Sequence, residues 1–339
     1  MTASIRDVAG RAGVSVGTVS NVLNRPERVT PATVERVHRA IADLGFVRND
    51  AARQLRAGRS STVGLVVLDV RNPFFTELAR GAEDAAAEHG LAIILGNSDE
   101  SSEREAAYLD LFDEQRVRGV LISPIGDVSG RLKRLRERGT PAVVVDRMIE
   151  GGGLSSVSVD DVAGGELAAR HLLEQGRRRI AVLVGQPSIR QVADRLAGAR
   201  RAVAAVASAS LEVIEAGGLT VLDGRRAGEQ LRVRAADKRP DAVFAVNDLL
   251  AVGVLQALVM TGSVLVPDEI ALVGYDDIDF AAAAVVPLTS VRQPSHLIGA
   301  TALRILLEEA DDPGIAPRTV VFQPELVVRA SSGAPATLK

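Results

Sequence analysis

The stretch that decides how this chain reads is Ser4-Ile5-Arg6-Asp7-Val8-Ala9-Gly10-Arg11-Ala12-Gly13-Val14-Ser15-Val16-Gly17-Thr18-Val19-Ser20-Asn21-Val22-Leu23-Asn24. Ile5, Val8, Ala9 and Ala12 fall at i, i+3, i+4 and i+7, so they share one face of a short helix. Ser4 can cap that helix, and Asp7 completes a capping-box-like pair that suits the positive helix end. Gly13 is a natural stop, because a left-handed residue ends a helix and costs least as glycine. Ser15 then caps a second helix whose inner face is Val19, Val22 and Leu23. Two short helices joined by a tight glycine-containing turn form a helix-turn-helix, whose second helix enters a DNA major groove.

Working outward, the exposed residues of the second helix are Val16, Gly17, Thr18, Ser20, Asn21 and Asn24. All are small or hydrogen-bonding, and none carries a bulky charge that would hold the helix away from a base edge. Gly17 costs an exposed helix interior roughly 1 kcal/mol against Ala, which close approach to another surface would explain. The bland alternative is a three-helix bundle with an incidental polar face. Charge argues against it. The chain of 339 residues has a net charge of −3, yet residues 1–60 hold ten Arg against five acids, leaving 30 basic and 38 acidic residues for the rest. A basic head on an acidic body suits a phosphate-facing module attached to a body with another task.

After a loop at Asn24–Val29, Thr30 and Pro31 start a third helix with an apolar stripe of Val34, Val37, Ile41 and Leu44, ended by Gly45. Residues 49–58, Asn-Asp-Ala-Ala-Arg-Gln-Leu-Arg-Ala-Gly, follow as a short helical segment with a capping start and a glycine stop. So few residues do not hold a helix alone in water, where the threshold is nearer ~12–15.

The blocks Ile5–Ala9, Ala12–Ser15 and Thr18–Asn24 together resemble the opening of a LacI/GalR-family transcriptional regulator, over a long ungapped run. The resemblance implies that Val16, Gly17, Thr18, Ser20, Asn21 and Asn24 face double-stranded operator DNA. It also implies that residues 49–58 are the family's hinge helix. Leu55 would then wedge into the minor groove, as apolar side chains do between base steps, with Arg53 and Arg56 on phosphates. One departure is Gly10, where many members carry a basic residue.

From residue 62 the rhythm changes to apolar strands alternating with helical stretches. Strand candidates are 63–68, 92–96, 119–123, 141–146 and 157–160, then 179–185, 211–216, 242–247, 270–275 and 319–328. Near-continuous apolar strands between amphipathic helices predict parallel sheets covered on both faces. Two such series predict two α/β lobes, matching the family's periplasmic-binding-protein-like core, in which the chain crosses between lobes three times. Those crossings are expected near 160–163, 288–292 and 322–324. The domain reading is therefore a helix-turn-helix domain at 1–48, a hinge and linker at 49–61, an effector core at 62–330 and a tail at 331–339. Within the core the N-lobe takes about 62–160 and 292–321, and the C-lobe about 162–290 and 322–330.

Ligand candidates stand just after strands, where open α/β sheets bind ligands. Asn72 and Phe74 follow the first strand, and the aromatics stand out in a chain with only 3% of them. Asp146 and Arg147 end the fourth strand, Asn247 the eighth and Asp276 the ninth, while Arg195 lies near the start of the helix after Gly185-Gln186-Pro187. These positions resemble the family pattern for a small polar effector; Asp and Asn with an aromatic ring suit a sugar, and an arginine suits a hydroxylated or an anionic ligand equally well. Gln186–Ile189 and Thr220–Asp223 lack an aromatic where some members stack a ring, which disfavours a flat heterocycle.

Catalytic signatures are absent from the sequence: there is no GxxxxGK[ST] and no HExxH, and the four His are scattered. No enzyme activity, metal or cofactor is expected. Zero Cys and no apolar leader or span of ~18 residues fit a cytoplasmic protein free of the membrane. The Pro/Ala-rich tail has no heptads, so a homodimer is expected rather than a tetramer. The competing classes are a solute-binding protein without DNA function and a sugar-acting enzyme.

Overall fold

The computed structural model describes residues 3–46, 60–149, 153–186, 188–260 and 264–333. The chain divides into two units, Met1–Arg59 and Ser60–Lys339. In the first, helices α1 (Ile5–Ala12), α2 (Val16–Asn24) and α3 (Pro31–Leu44) enclose a small core of Val8, Ala9, Ala12, Val19, Val22, Val37 and Ala40. The Ser4–Asp7 capping box forms, and Gly13 adopts φ 64° to end α1. Ser15 Oγ accepts the Thr18 N–H at 3.0 Å and so caps α2. Thr30 does not cap α3 by its side chain, because its hydroxyl donates to Thr33 Oγ1 instead. The expected hinge helix, with Arg53, Leu55 and Arg56, lies outside the described residues.

The second unit contains two six-stranded sheets. Strands β1 (Thr62–Val67), β2 (Ala92–Asn97), β3 (Val120–Ile122), β4 (Ala142–Val145), β5 (Ser155–Val159) and β11 (Thr319–Phe322) build the first, in the order β11-β5-β4-β3-β1-β2. Strands β6 (Arg179–Val184), β7 (Ser210–Glu215), β8 (Ala242–Ala245), β9 (Ala271–Asp276), β10 (Thr289–Arg292) and β12 (Glu325–Val327) build the second, in the order β12-β10-β9-β8-β6-β7. Among the described residues all pairs are parallel except β10 with β12. Each lobe therefore winds 2-1-3-4-5, a doubly wound order that opens a ligand crevice at the carboxyl ends of its strands.

The chain leaves the first sheet after Val159 and re-enters it only at Thr319, by way of helix 295–311. The second passage falls at Gln293–Pro294, not within 288–292, because β10 runs in register with β9 as far as Arg292 opposite Asp276. That strand, Thr-Ser-Val-Arg, lacks the apolar run that marks the others. Its Thr289 and Ser290 are buried yet satisfied, Thr289 by Ser331 and Ser332 and Ser290 by Asp248. The single strand expected at 319–328 is two strands in different sheets, broken at Gln323–Pro324, where proline has no N–H to give a ladder.

One packing contact positions the site. Helix α7 (Asp161–Glu174) crosses α8 (Arg190–Ala204) so closely that a Cβ on Gly165 would lie 1.9 Å from the Arg195 carbonyl oxygen. A Cβ on Gly198 would meet the Val162 oxygen at the same 1.9 Å. Only glycine fits at this approach, and it sets Arg195 directly beside Asp161.

Candidate functional site

Three helices begin at strand ends facing the space between the lobes, and each start is capped from the chain itself. Asn72 Oδ1 accepts the Phe74 N–H at 3.0 Å and opens helix α4 (Pro73–Ala87). Asp160 Oδ1 accepts the Ala163 N–H at 2.9 Å before α7. Asn247 Oδ1 accepts the Leu250 N–H at 2.9 Å and opens the helix Asp248–Val259. Two strand-end aspartates take left-handed backbone, Asp146 at φ 61° after β4 and Asp276 at φ 105° closing β9. Such a conformation costs a non-glycine residue roughly 1–2 kcal/mol, and Asp tolerates it better than most.

These elements converge on a cavity of about 490 Å³, its open mouth included, lined by Asn72, Phe74, Asp146, Arg195, Asn247 and Asp276 together with Asp69, Phe75, Glu100, Gln191 and apolar walls such as Leu68, Ile189, Val192, Leu219 and Val246. The Phe74 and Phe75 rings meet edge to face, 5.0 Å between centroids. Six of the seven sequence candidates for the effector thus come together. Arg147 does not: its guanidinium donates to the Gly126 carbonyl at 2.8 Å and lines a neighbouring groove with Asp127, Arg190 and Asp194. The left-handed turn at Asp146 is the reason, since it sends successive side chains to different sides.

Arg195 is the hub. Its Nε donates to Asp161 Oδ1 at 2.7 Å and its Nη1 to the Val246 carbonyl at 2.7 Å, while Asp276 Oδ1 lies 3.6 Å from Nη1. The guanidinium also sits 3.7 Å above the Tyr275 ring, a cation–π contact. Burial opposes its charge, but Asp161, Tyr275, Asp276 and Asp146 outweigh that and push its pKa further up. Asp194, the residue before Arg195, pairs with Arg190 instead.

Two hydrogen bonds span the lobes. Asn72 Nδ2 donates to Asp276 Oδ2 at 2.9 Å, and Gln191 Nε2 donates to Asp146 Oδ2 at 2.7 Å. Gln293, on the passage between lobes, donates from Nε2 to Asp276 Oδ1 at 2.8 Å. Three carboxylates therefore crowd one guanidinium. Burial is the main cause that raises the pKa of each, with Arg195 pulling the other way. For Asp146, burial and then the Asp161 charge push the value up to about 8. At neutral pH Asp146 is mostly a protonated acid, able to donate as well as accept. Gln191, Gln293, Asp161 and Glu100 were not legible as site residues. Neutral amides carry no charge signal, and Asp161 reads as a simple helix start.

In the head, Val16, Gly17, Asn21 and Asn24 are exposed, while Thr18 and Ser20 are half-buried. Thr18 Oγ1 is 2.9 Å from Ser15 Oγ, and Asn24 Nδ2 donates back to the Ser20 carbonyl at 2.8 Å. A Cβ on Gly17 would meet nothing closer than Ser15 Oγ at 3.6 Å, so no contact inside the head requires glycine there. Among the described residues no group of His, Asp or Glu could hold a metal ion, and no helix is long and apolar enough to cross a membrane.

A capped helix-turn-helix unit and a two-lobed α/β core with a polar cleft together define a ligand-responsive DNA-binding regulator. Residues 4–49 match the lacI family of bacterial regulatory proteins, and residues 169–332 match a periplasmic binding protein-like domain. The chain is 33% identical over 332 residues to the HTH-type transcriptional repressor PurR of Aliivibrio fischeri, covering 97% of this chain and 98% of that one. It is 36% identical over 309 residues to the ribose operon repressor of Bacillus subtilis, covering 90% and 91%. A crystal structure of the lac repressor dimer bound to operator and the anti-inducer ONPF superposes with a TM-score of 0.83 at 26% identity, over 98% of this chain and all of that one. The chain belongs to the LacI family of bacterial transcriptional regulators.

Proposed function

We propose that this regulator is a cytoplasmic homodimeric repressor whose affinity for double-stranded operator DNA is set by a small polyhydroxylated effector, a sugar, held between its lobes. Residues 1–48 act as the DNA-binding domain, 49–61 as the hinge and 62–330 as the effector core. The observation that carries the effector half is the cavity itself. Arg195, Asp146, Asp276, Asn247 and Asn72 present hydrogen-bonding groups at its walls, and Phe74 offers a ring to the apolar C–H face of a sugar. The ribose operon repressor among the relatives supports the same ligand class. Because lobe-bridging hydrogen bonds line this cavity, an occupant that strengthens or breaks them changes the relation of the lobes, and coupling of ~1–3 kcal/mol is enough to switch a marginal hinge helix.

On the DNA side, Val16, Gly17, Thr18, Ser20, Asn21 and Asn24 reach base edges. Arg53 and Arg56 hold phosphates, and Leu55 wedges the minor groove. The lac repressor dimer supports a two-fold assembly. Two exposed apolar pairs on this chain suit one: Ile94 and Leu95 on the edge strand β2, and Phe280 and Val285 around the short helix Asp279–Ala283. The cavity is read as binding its ligand without turnover, so candidate sugars recovered after incubation should be unchanged.

The test is selection of genomic fragments with the purified chain, then a gel-shift titration with and without sugars. Retention of a palindromic fragment, with affinity falling steeply as salt rises and shifting on addition of one sugar, is the expected result. No retained fragment under any of these conditions would overturn the proposal.

A further inference from the structure

The polar groups around the cavity are unequally spent. Each of its donor side chains is already engaged inside the protein through at least one N–H: Arg195 on Asp161 and the Val246 carbonyl, Asn72 on Asp276, Gln191 on Asp146, and Asn247 on the Leu219 carbonyl at 3.0 Å. Its acceptors are not. Gln191 Oε1 is fully buried with no hydrogen-bond partner, on a residue that lines the cavity.

The charges are as lopsided. Among the described residues four carboxyl groups line the cavity, on Asp69, Glu100, Asp276 and the mostly protonated Asp146, against one lining guanidinium, that of Arg195. Asp69 is gripped by Arg71 at 2.9 Å, Asp146 by Gln191 and Ser123, and Asp276 by Asn72, Gln293 and Arg195. Glu100 alone among the four has neither an ion pair nor a side-chain hydrogen bond among the described residues. Arg71 does not serve it, because its second arm is held by Asp99 at 2.9 Å. Burial and the nearby Asp69 both act to raise the Glu100 pKa, and Arg71 only partly offsets them.

We infer that the effector is a polyol bearing an ammonium group, an amino sugar, whose charge is seated against Glu100 while its hydroxyls donate to Gln191 and the aspartates. An anionic ligand, such as a sugar phosphate or sugar acid, meets the charges of Asp69, Glu100 and Asp276, and its one lining counter-charge, Arg195, is already paired with Asp161. A neutral sugar satisfies the acceptors but gives the half-buried Glu100 no counter-charge. This inference rests on the cavity being the effector site.

The test is calorimetric titration of the full chain with matched sets: glucose, galactose, mannose and ribose, their 2-amino-2-deoxy counterparts, and the corresponding aldonic acids. One aminated member should bind at least about tenfold tighter than its hydroxyl parent, with its acid weakest. In Glu100→Gln the aminated and parent sugars should bind within about twofold of each other, whereas Glu100→Asp, which keeps the charge, should retain a preference. Thermal unfolding of both variants checks that each is folded. A parent sugar or an acid binding as tightly as the amine overturns the inference and leaves the effector site standing. Binding by no member of any set overturns both.

Discussion

Replacing Arg195 by Met removes the one cation that three buried carboxylates share while keeping most of the side-chain volume. Its pair with Asp161 is 7% exposed on each side, at 2.7 Å, and Asp276 stands 3.6 Å away. Removing one partner of a buried pair costs about 3–5 kcal/mol, because the other charge is left in a poor solvent. The Val246 carbonyl, which accepts from Nη1, loses its donor as well. At roughly 2–4 °C of melting temperature per kcal/mol for a core of this size, the expected fall is on the order of 10 °C. The loss should depend on pH in a definite sense. Without Arg195, Asp161 and Asp276 rise further, so the native state holds protons that the unfolded chain releases, and stability then falls as pH rises. The deficit of Arg195→Met should therefore be smaller at pH 5 than at pH 8. Adding Asp161→Asn deletes the orphaned charge and should recover at least about 1 kcal/mol relative to Arg195→Met alone. Calorimetric scans of wild type, both single variants and the double variant at the two pH values make the measurement. A melting point within about 2 °C of wild type at both would refute the idea that this cation organises the site.

Asp146→Asn should isolate the highest carboxylate pKa. Wild-type Asp146 keeps its proton up to about 8 in the folded state against 3.8 ordinarily, so between those values its contribution falls as pH rises, by at most about 1.4 kcal/mol per unit. The variant cannot titrate, so its melting temperature relative to wild type should climb across that window and level off above it; a constant difference would contradict the assignment. Gly198→Ala forces a Cβ to within 1.9 Å of the Val162 oxygen and should cost about 1–3 kcal/mol, with weaker effector binding because Arg195 shifts with its helix. Equal stability and equal affinity would show that the two helices part freely. Ser15→Ala removes the α2 cap and should cost the head about 1 kcal/mol, read as lost protection of α2 amides in hydrogen exchange, with Ser15→Thr restoring most of it.

The head was legible because its determinants are local. Ser4, Asp7, Gly13 and Ser15 act within four residues of themselves, so their spacing alone sets both helices and the turn. The core was legible wherever a strand is apolar on both faces, and it failed at Thr289–Arg292. There, polar side chains are buried through partners some 40 positions away in sequence, Arg329, Ser331 and Ser332. Pro324 was the available signal that residues 319–328 could not be one continuous strand.

For the site, position and charge state separate. Strand ends point to Asp146, Asn247 and Asp276 because a doubly wound sheet exposes its ligands there whatever the lobe, and both lobes wind alike. What those groups carry at neutral pH depends on who surrounds Arg195. Asp161 is 34 positions from it and Asp276 is 81 away, brought together only by the Gly165–Gly198 crossing and by the passage of the chain between lobes. Spacing can nominate a carboxylate; it takes the fold to decide that three of them share one guanidinium, that one therefore keeps a proton, and that the amides of Gln191 and Asn72 tie the lobes across the cavity. The same folding that lifts Asp146 ties the cavity's amides into the protein while the Gln191 oxygen is left without a partner, and that imbalance is what a ligand must answer.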